Sequence, residues 1–300
     1  MRNKSIIGGA VVVIAIVVLI IGFGGSSSPD KIVSQMFDKM TEVGTAAFDV
    51  RMTVPLGDDH DGALILGGAF DNNDADNIKS TLDGDFRVQS SGLSFGLAIE
   101  SLTIDKKIYI KALIDNLPLP IDISFLNNRW IMTDVAAFQE QFGGDYPTKL
   151  TLDQREELRQ VFRKSDFIKI TRVLPDEVIS GANNYHYQYV IDEDALVEYY
   201  AQVMEITQNR KFDALEKTSF RAGFDRYLED VELFSGEIWI GKDDSLLYKL
   251  TLSISGVYPT GESVSSDLVL TFKDYGLPVV VEAPSDYISL DELLGILQGR

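Results

Sequence analysis

Two histidines, His60 and His186, are all that the chain offers for imidazole chemistry. His60 sits in Asp58-Asp59-His60-Asp61-Gly62, a composition that marks a solvated turn. His186 lies between Tyr185 and Tyr187 in an alternating stretch, which makes it a surface-facing partner on a strand. No HExxH or HxH spacing joins histidines into a metal site. Gly92 and Gly96 flank Ser94, but the context is a strand with no helix after it, so the nucleophile elbow of a hydrolase is absent. Asp71-Asn72-Asn73-Asp74-Ala75-Asp76 resembles half of a calcium loop. It lacks the glycine at position 6 and the glutamate at position 12 that an EF-hand requires, and reads as a polar hairpin loop. Asp192, Glu193 and Asp194 open a helix, where carboxylates meet the positive end of the macrodipole. Trp130 and Trp239 read as core anchors. No nucleophile, paired acid or metal cluster emerges, so an enzyme is not expected, and no cofactor is implied.

Composition narrows the partners. Of 300 residues, 46 are acidic and 27 basic, giving a net charge of −19. Phosphate binding needs a basic surface, so nucleic acid is excluded as a partner. Broad docking on anionic headgroups is disfavoured for the same reason. The absence of cysteine rules out disulfides, thiolate metal sites, cysteine catalysis and acylation of an N-terminal cysteine.

The N-terminus carries the clearest signal. Ile6 to Phe23 is an uncharged apolar run, preceded by Arg2 and Lys4. As a helix it spans roughly 27 Å, close to the ~30 Å hydrocarbon core. The positive-inside rule places residues 1–5 in the cytoplasm, 6–24 in the membrane as an anchor, 25–28 as a linker and 29–300 outside. The alternative is a cleaved signal segment and a secreted domain. That alternative has a weaker basis, because the run is long and no A-x-A-like site is clear.

Ser28-Pro29-Asp30 opens a helix, and Ile32, Val33, Met36, Phe37, Met40 and Val43 repeat on one face up to Gly44. Strand-like segments follow at 48–56, 63–70, 80–90, 93–102 and 103–113, joined by turns. A short strand at 129–132 precedes helical stretches at 135–142 and 151–164, the latter with Thr151 as a cap. Strands at 167–174 and 184–191, helices at 192–207 and on to about 231, and strands at 236–241, 246–255, 268–273 and 279–283 follow. A helix at 289–298 ends the chain. Segregated blocks of helix and antiparallel strand indicate α+β. About ten strands in one sheet normally curl, so the expected fold is a strongly curled antiparallel sheet, an incomplete β-barrel, with helices on its concave side.

Over residues 29–284 the chain resembles the lipoprotein-carrier superfamily, the LolA/LolB-type proteins and their LppX/LprG-type relatives, a bacterial group. The resemblance rests on the helix 29–43 leading into FDVRMTV and on NYHYQYVI running into DEDALVEYY. It rests also on GEIWIGKDDSLLYKLTLSISG followed by DLVLTFKDYGLPVVVEAP. It implies a half-barrel whose concave side, lidded by helices, holds a lipid or acyl chain. A protein anchor in place of an acylated cysteine departs from the group's pattern and speaks against a free shuttle between membranes.

The expected function is therefore a membrane-anchored extracytoplasmic protein that binds a hydrophobic ligand by burial. Each methylene removed from water contributes ~0.8 kcal/mol, so a C16 chain supplies on the order of 10 kcal/mol before ordering costs. Met36, Phe37, Met40, Phe95, Leu97, Tyr187, Tyr189 and Leu250 are the candidate lining residues. The alternative is a non-catalytic scaffold or protein-interaction module with a fully packed interior. Periodicity gives the direction of a side chain and does not separate the two.

Overall fold

The computed structural model describes residues 29–57, 60–74, 77–90, 93–115, 127–135, 137, 151–164, 167–228, 231–257 and 263–297. The anchor expected at 6–24 lies outside them, as does most of the helix expected at 135–142. Among the described residues no helix is long and apolar enough to cross a membrane.

The chain divides into two compact units, residues 1–42 with 149–269 and residues 43–148 with 270–300. The first holds α1 (Pro29–Met40), α2 (Leu152–Lys164), β7 (Ile168–Ile179), β8 (Ala182–Ile191), α3 (Glu193–Thr207), α4 (Ala214–Leu228), β9 (Val231–Gly241) and β10 (Leu247–Val257). The second holds β1 (Thr45–Gly57), β2 (His60–Asp71), β3 (Lys79–Ser90), β4 (Leu93–Ile104), β5 (Lys107–Asp115), β6 (Trp130–Asp134), β12 (Ile288–Ser289) and α5 (Leu290–Leu297). Strand β11 (Ser263–Lys273) belongs to both. The twelve strands run in the order β12-β6-β5-β4-β3-β2-β1-β11-β10-β9-β8-β7. The fold is thus α+β, with antiparallel pairing throughout the described registers except at β12, which runs parallel to β6.

In the first unit α1 packs on β7, β9 and β10. Val33, Met36, Phe37 and Met40 recur at three- and four-residue spacing, and all are buried. The helix stops at Met40 rather than Val43. Thr41 N–H donates to Phe37 O, Glu42 N–H to Lys39 O, and the Thr41 hydroxyl to Asp38 O, which satisfies the last-turn carbonyls before Gly44 is reached. Thr151 caps α2 as expected. Gln154 N–H donates to Thr151 Oγ1 at 3.1 Å and Thr151 N–H to Gln154 Oε1 at 2.9 Å, a reciprocal capping box. Gln154 Nε2 also donates to Ile206 O at 2.8 Å, tying α2 to α3. Asp192 caps α3 by accepting from Ala195 N–H at 3.0 Å.

Simple alternation over 246–255 puts Leu246, Tyr248 and Leu250 on one face. The structure places Leu247 with the buried set instead, at 1% exposure. A bulge between Leu247 and Lys249 is the cause: Leu247 pairs with Ile240 and Lys249 with Trp239, so Tyr248 is the extra residue.

In the second unit, β1 to β5 form a meander of long hairpins. The tight turn between β4 and β5 takes Asp105 and Lys106 at φ 52° and 61°, the two left-handed residues of a type I′ connection. The strand expected at 279–283 is absent. Pro278 and Pro284 each remove a backbone donor, Val280 is 78% exposed, and the segment pairs with no strand. The last strand is instead Ile288–Ser289 against Ile131 and Met132 of β6.

Candidate functional site: an apolar sheet face

The pairing register of the second unit builds one face row by row. Met52 stands opposite Leu64, Leu64 opposite Phe86, Phe86 opposite Leu97 and Leu97 opposite Ile114. The next row runs Val50, Leu66, Gly84, Ile99, Ala112. Val88 opposes Phe95, and the Phe86 and Phe95 rings meet edge-on at 6.4 Å. Leu66 leans over Gly84 and Phe48 over Gly68, so the side chains of one strand fill the gaps of the next.

Leu64, Leu66, Phe86, Val88, Phe95, Leu97, Ile99 and Ile114 are all half-buried. The opposite face of the same strands carries Asp49, Arg51, Asp83, Asp85, Arg87, Glu100 and Lys111, with Arg87 paired to Asp85 at 2.8 Å and Lys111 to Glu100 at 2.7 Å. The polar side of this sheet thus faces water as alternation demands. Its apolar side is also only half withdrawn from water.

The first unit differs. Tyr187, Tyr189 and Ile191 of β8, Ile238 and Ile240 of β9, and Leu250 and Leu252 of β10 are buried together with Met36, Phe37 and Met40 of α1. The Tyr189 hydroxyl donates to Thr251 O at 2.8 Å, and burial pushes that phenol well above its ordinary range. This is a closed core.

Of the eight residues singled out from the sequence, Met36, Phe37, Met40, Tyr187, Tyr189 and Leu250 therefore meet in the packed interior of the first unit. Phe95 and Leu97 lie on the half-accessible face of the second. The sequence reading missed Leu64, Leu66, Phe86, Val88, Ile99 and Ile114. A signal for part of this set was present: Leu82, Phe86 and Val88 alternate with Asp83, Asp85 and Arg87.

His186 sits on the sheet surface opposite to the tyrosines. Its ring stacks on Trp239 at 4.2 Å, and its Nε2 lies 3.0 Å from Glu237 Oε2. Trp239 Nε1–H donates to Glu177 Oε2 at 2.8 Å, and Lys249 Nζ stands 4.2 Å from the indole centroid. Trp239 is 3% exposed although it points away from the core face, because these neighbours cover it. Asp71 folds into its own loop, accepting from Asn73 N–H and Nδ2. Among the described residues no group of His, Asp and Glu is arranged to hold a metal ion. A polar groove of about 400 Å³ between α3 and α4 is lined by Asp194, Glu198, Lys217, Arg221 and Asp225 over Val197 and Phe220.

No family model and no curated protein matches the chain. Solved structures do. LprF from Mycobacterium bovis is similar at 14% identity and a TM-score of 0.45, over 87% of this chain and 99% of that one. The lipoprotein LppX of Mycobacterium tuberculosis is similar at 12% identity and a TM-score of 0.38, over 85% of this chain and 100% of that one.

Proposed function

We propose that the chain binds a hydrophobic ligand, a lipid or an acyl chain, on the apolar face of β1 to β5. One observation carries this reading. Eight large apolar side chains on four adjacent strands stay half-buried, while the apolar set of the first unit is buried almost completely. A continuous apolar surface left within reach of water marks a binding site more often than an unfinished core. Phe95 and Leu97 are its central contacts. Met36, Phe37, Met40, Tyr187, Tyr189 and Leu250 belong instead to the packed core of the first unit. Residues 6–24 anchor the protein, with 1–5 cytoplasmic and 29–300 extracytoplasmic, or are removed to release it.

A second reading, a non-catalytic interaction module, is favoured by a different observation: six of the eight sequence-derived lining residues are packed at 5% exposure or less.

The test is native mass spectrometry with lipid extraction on the full chain purified from a lipid-containing host. The binding reading expects a co-purifying lipid that is lost in Leu97→Arg, with the circular dichroism spectrum unchanged. A mass equal to the bare chain, with no uptake of added fatty acid or phospholipid, moves the function to the outer surface.

A further inference from the structure

The apolar face is not uniform along its strands. Around Phe95 its described side chains are hydrocarbon: Leu64, Phe86, Val88, Phe95, Leu97 and Ile114. Toward the turn at Asp105-Lys106 it acquires hydroxyls. Ser80 stands opposite Thr103, and Ser101, two residues before Thr103, opposes Leu82 on the same face. These three side chains are half-buried, and none has a hydrogen-bond partner among the described residues. Ala46, Phe70 and Ile108 complete the row around them. Hydroxyls standing unpaired on an otherwise apolar surface are held ready for a partner, because a ligand that covers them without hydrogen-bonding leaves their desolvation uncompensated.

The charge pattern restricts that partner. Among the described side chains of this face, from Ala46 to Met52, Gly62 to Phe70, Ser80 to Val88, Phe95 to Thr103 and Ile108 to Ile114, there is no Lys, Arg, His, Asp or Glu. Lys79 and Lys107 alternate to the opposite face, and Lys106 sits in the turn beyond the row. A phosphate or carboxylate pressed against Ser80, Ser101 and Thr103 would lose its water and find no counter-charge. An ester, hydroxyl or amide would find three groups that both donate and accept. Thr103 and Phe95 are eight residues apart on β4, roughly 27 Å at ~3.4 Å per residue, which leaves a long hydrocarbon track beyond the hydroxyls.

We propose that the site is oriented and selects an uncharged amphiphile. The ester or hydroxyl end docks on Ser80, Ser101 and Thr103, and the chains run along the strands toward Phe86, Val88 and Phe95. This rests on the binding reading above.

The test uses the full chain in maltoside micelles and two photoreactive diacylglycerols, one with its diazirine at the glycerol and one at a chain terminus. Labelled peptides are mapped by mass spectrometry. The glycerol probe should label 79–82 and 101–108, and the chain-end probe 86–97. Unlabelled phosphatidic acid with the same chains should compete roughly tenfold more weakly than diacylglycerol. Ser80→Ala with Thr103→Val should weaken diacylglycerol competition about fivefold while leaving the fold intact. Reversed or identical labelling, or equal competition by phosphatidic acid, overturns the orientation and the selectivity while the binding reading stands. Failure of both probes to label the face at all overturns the binding reading itself.

Discussion

The Tyr189 hydroxyl crosses β9 above Gly236 and donates to Thr251 O on β10, at 2.8 Å. Gly236 is what lets it pass. A Cβ there would overlap the Thr251 carbonyl and stand 2.8 Å from the tyrosine oxygen. One bond thus links three strands, and a missing side chain makes room for it.

Gly236→Ala should therefore cost more than Tyr189→Phe. The alanine forces two backbones apart, a strain of about 1–3 kcal/mol or more. The phenylalanine removes one hydrogen bond, about 1 kcal/mol. Urea unfolding of the two variants beside the unaltered protein checks the order. Equal midpoints would mean that β9 and β10 part easily, and the closed-core account of the first unit would fail.

Alkali should unfold this unit before acid chemistry on the surface matters. Burial pushes Tyr189, Tyr199 and Tyr200 far up, and pushes Tyr248 up to about 12, helped by its hydrogen bond to Asp244. These phenols stay protonated in the folded chain where the unfolded chain ionises, near pH ~10. The folded state then holds more protons, so stability present below that pH is lost as pH rises through the folded values. Followed from pH 9 to 13, the tyrosinate absorbance should show a late step, beyond the ionisation of exposed phenols such as Tyr287, that coincides with the loss of far-ultraviolet dichroism. Ionisation of all twelve tyrosines with the dichroism unchanged would contradict the burial of these rings.

Glu205 is a buried charge in the first unit, at 4% exposure. Burial works to raise its pKa. Hydrogen bonds from Lys211 Nζ at 3.0 Å and Phe212 N–H at 3.0 Å, with Lys217 nearby, win and hold it below the usual carboxylate range. The carboxylate thereby fixes the turn from α3 into α4. Glu205→Gln should cost on the order of 2 kcal/mol at pH 7. Because the folded pKa is depressed, that stability is present above the unfolded value and lost as pH falls through the folded one. The gap between variant and parent in thermal unfolding should shrink toward pH 3. A gap independent of pH would show that the ion pairs are not its source.

Much of the architecture was legible because it rests on local rules. The alternation of Leu250 and Leu252, the three- and four-residue spacing of Met36, Phe37 and Met40, and the Thr151 box each depend on neighbours in sequence. The bulge at Tyr248 was not legible. It arises from pairing with β9, and it moves Leu247 rather than Leu246 into the core. The unpaired 279–283 segment was misread for a related reason: Val279, Val280 and Val281 favour a strand, but a strand needs a partner edge and donors that Pro278 and Pro284 lack. The candidate site was half legible. Phe95 and Leu97 showed their direction by alternation. That Tyr189 and Leu250 are buried completely while Leu97 stays half open depends on what packs against each strand, and spacing along the chain carries no such information.

Gly68 and Gly84 offer a last test, of how the apolar face tolerates filling. Both lie on it, and both are crossed by a side chain from the neighbouring strand. At Gly84 a Cβ would stand 2.9 Å from Leu66 Cδ2, the free end of a side chain that can turn aside. At Gly68 it would overlap the Thr81 carbonyl oxygen, part of the β2–β3 ladder, with the Phe48 ring 3.0 Å away. Gly84→Ala should therefore cost well under ~1 kcal/mol, since replacing a strand glycine also removes chain entropy from the unfolded state. Gly68→Ala should cost about 1–3 kcal/mol, because backbone must move. Urea midpoints separate the two cases. If Gly84→Ala proved the more damaging, Leu66 could not turn, and the face would be rigidly packed rather than half open to a ligand.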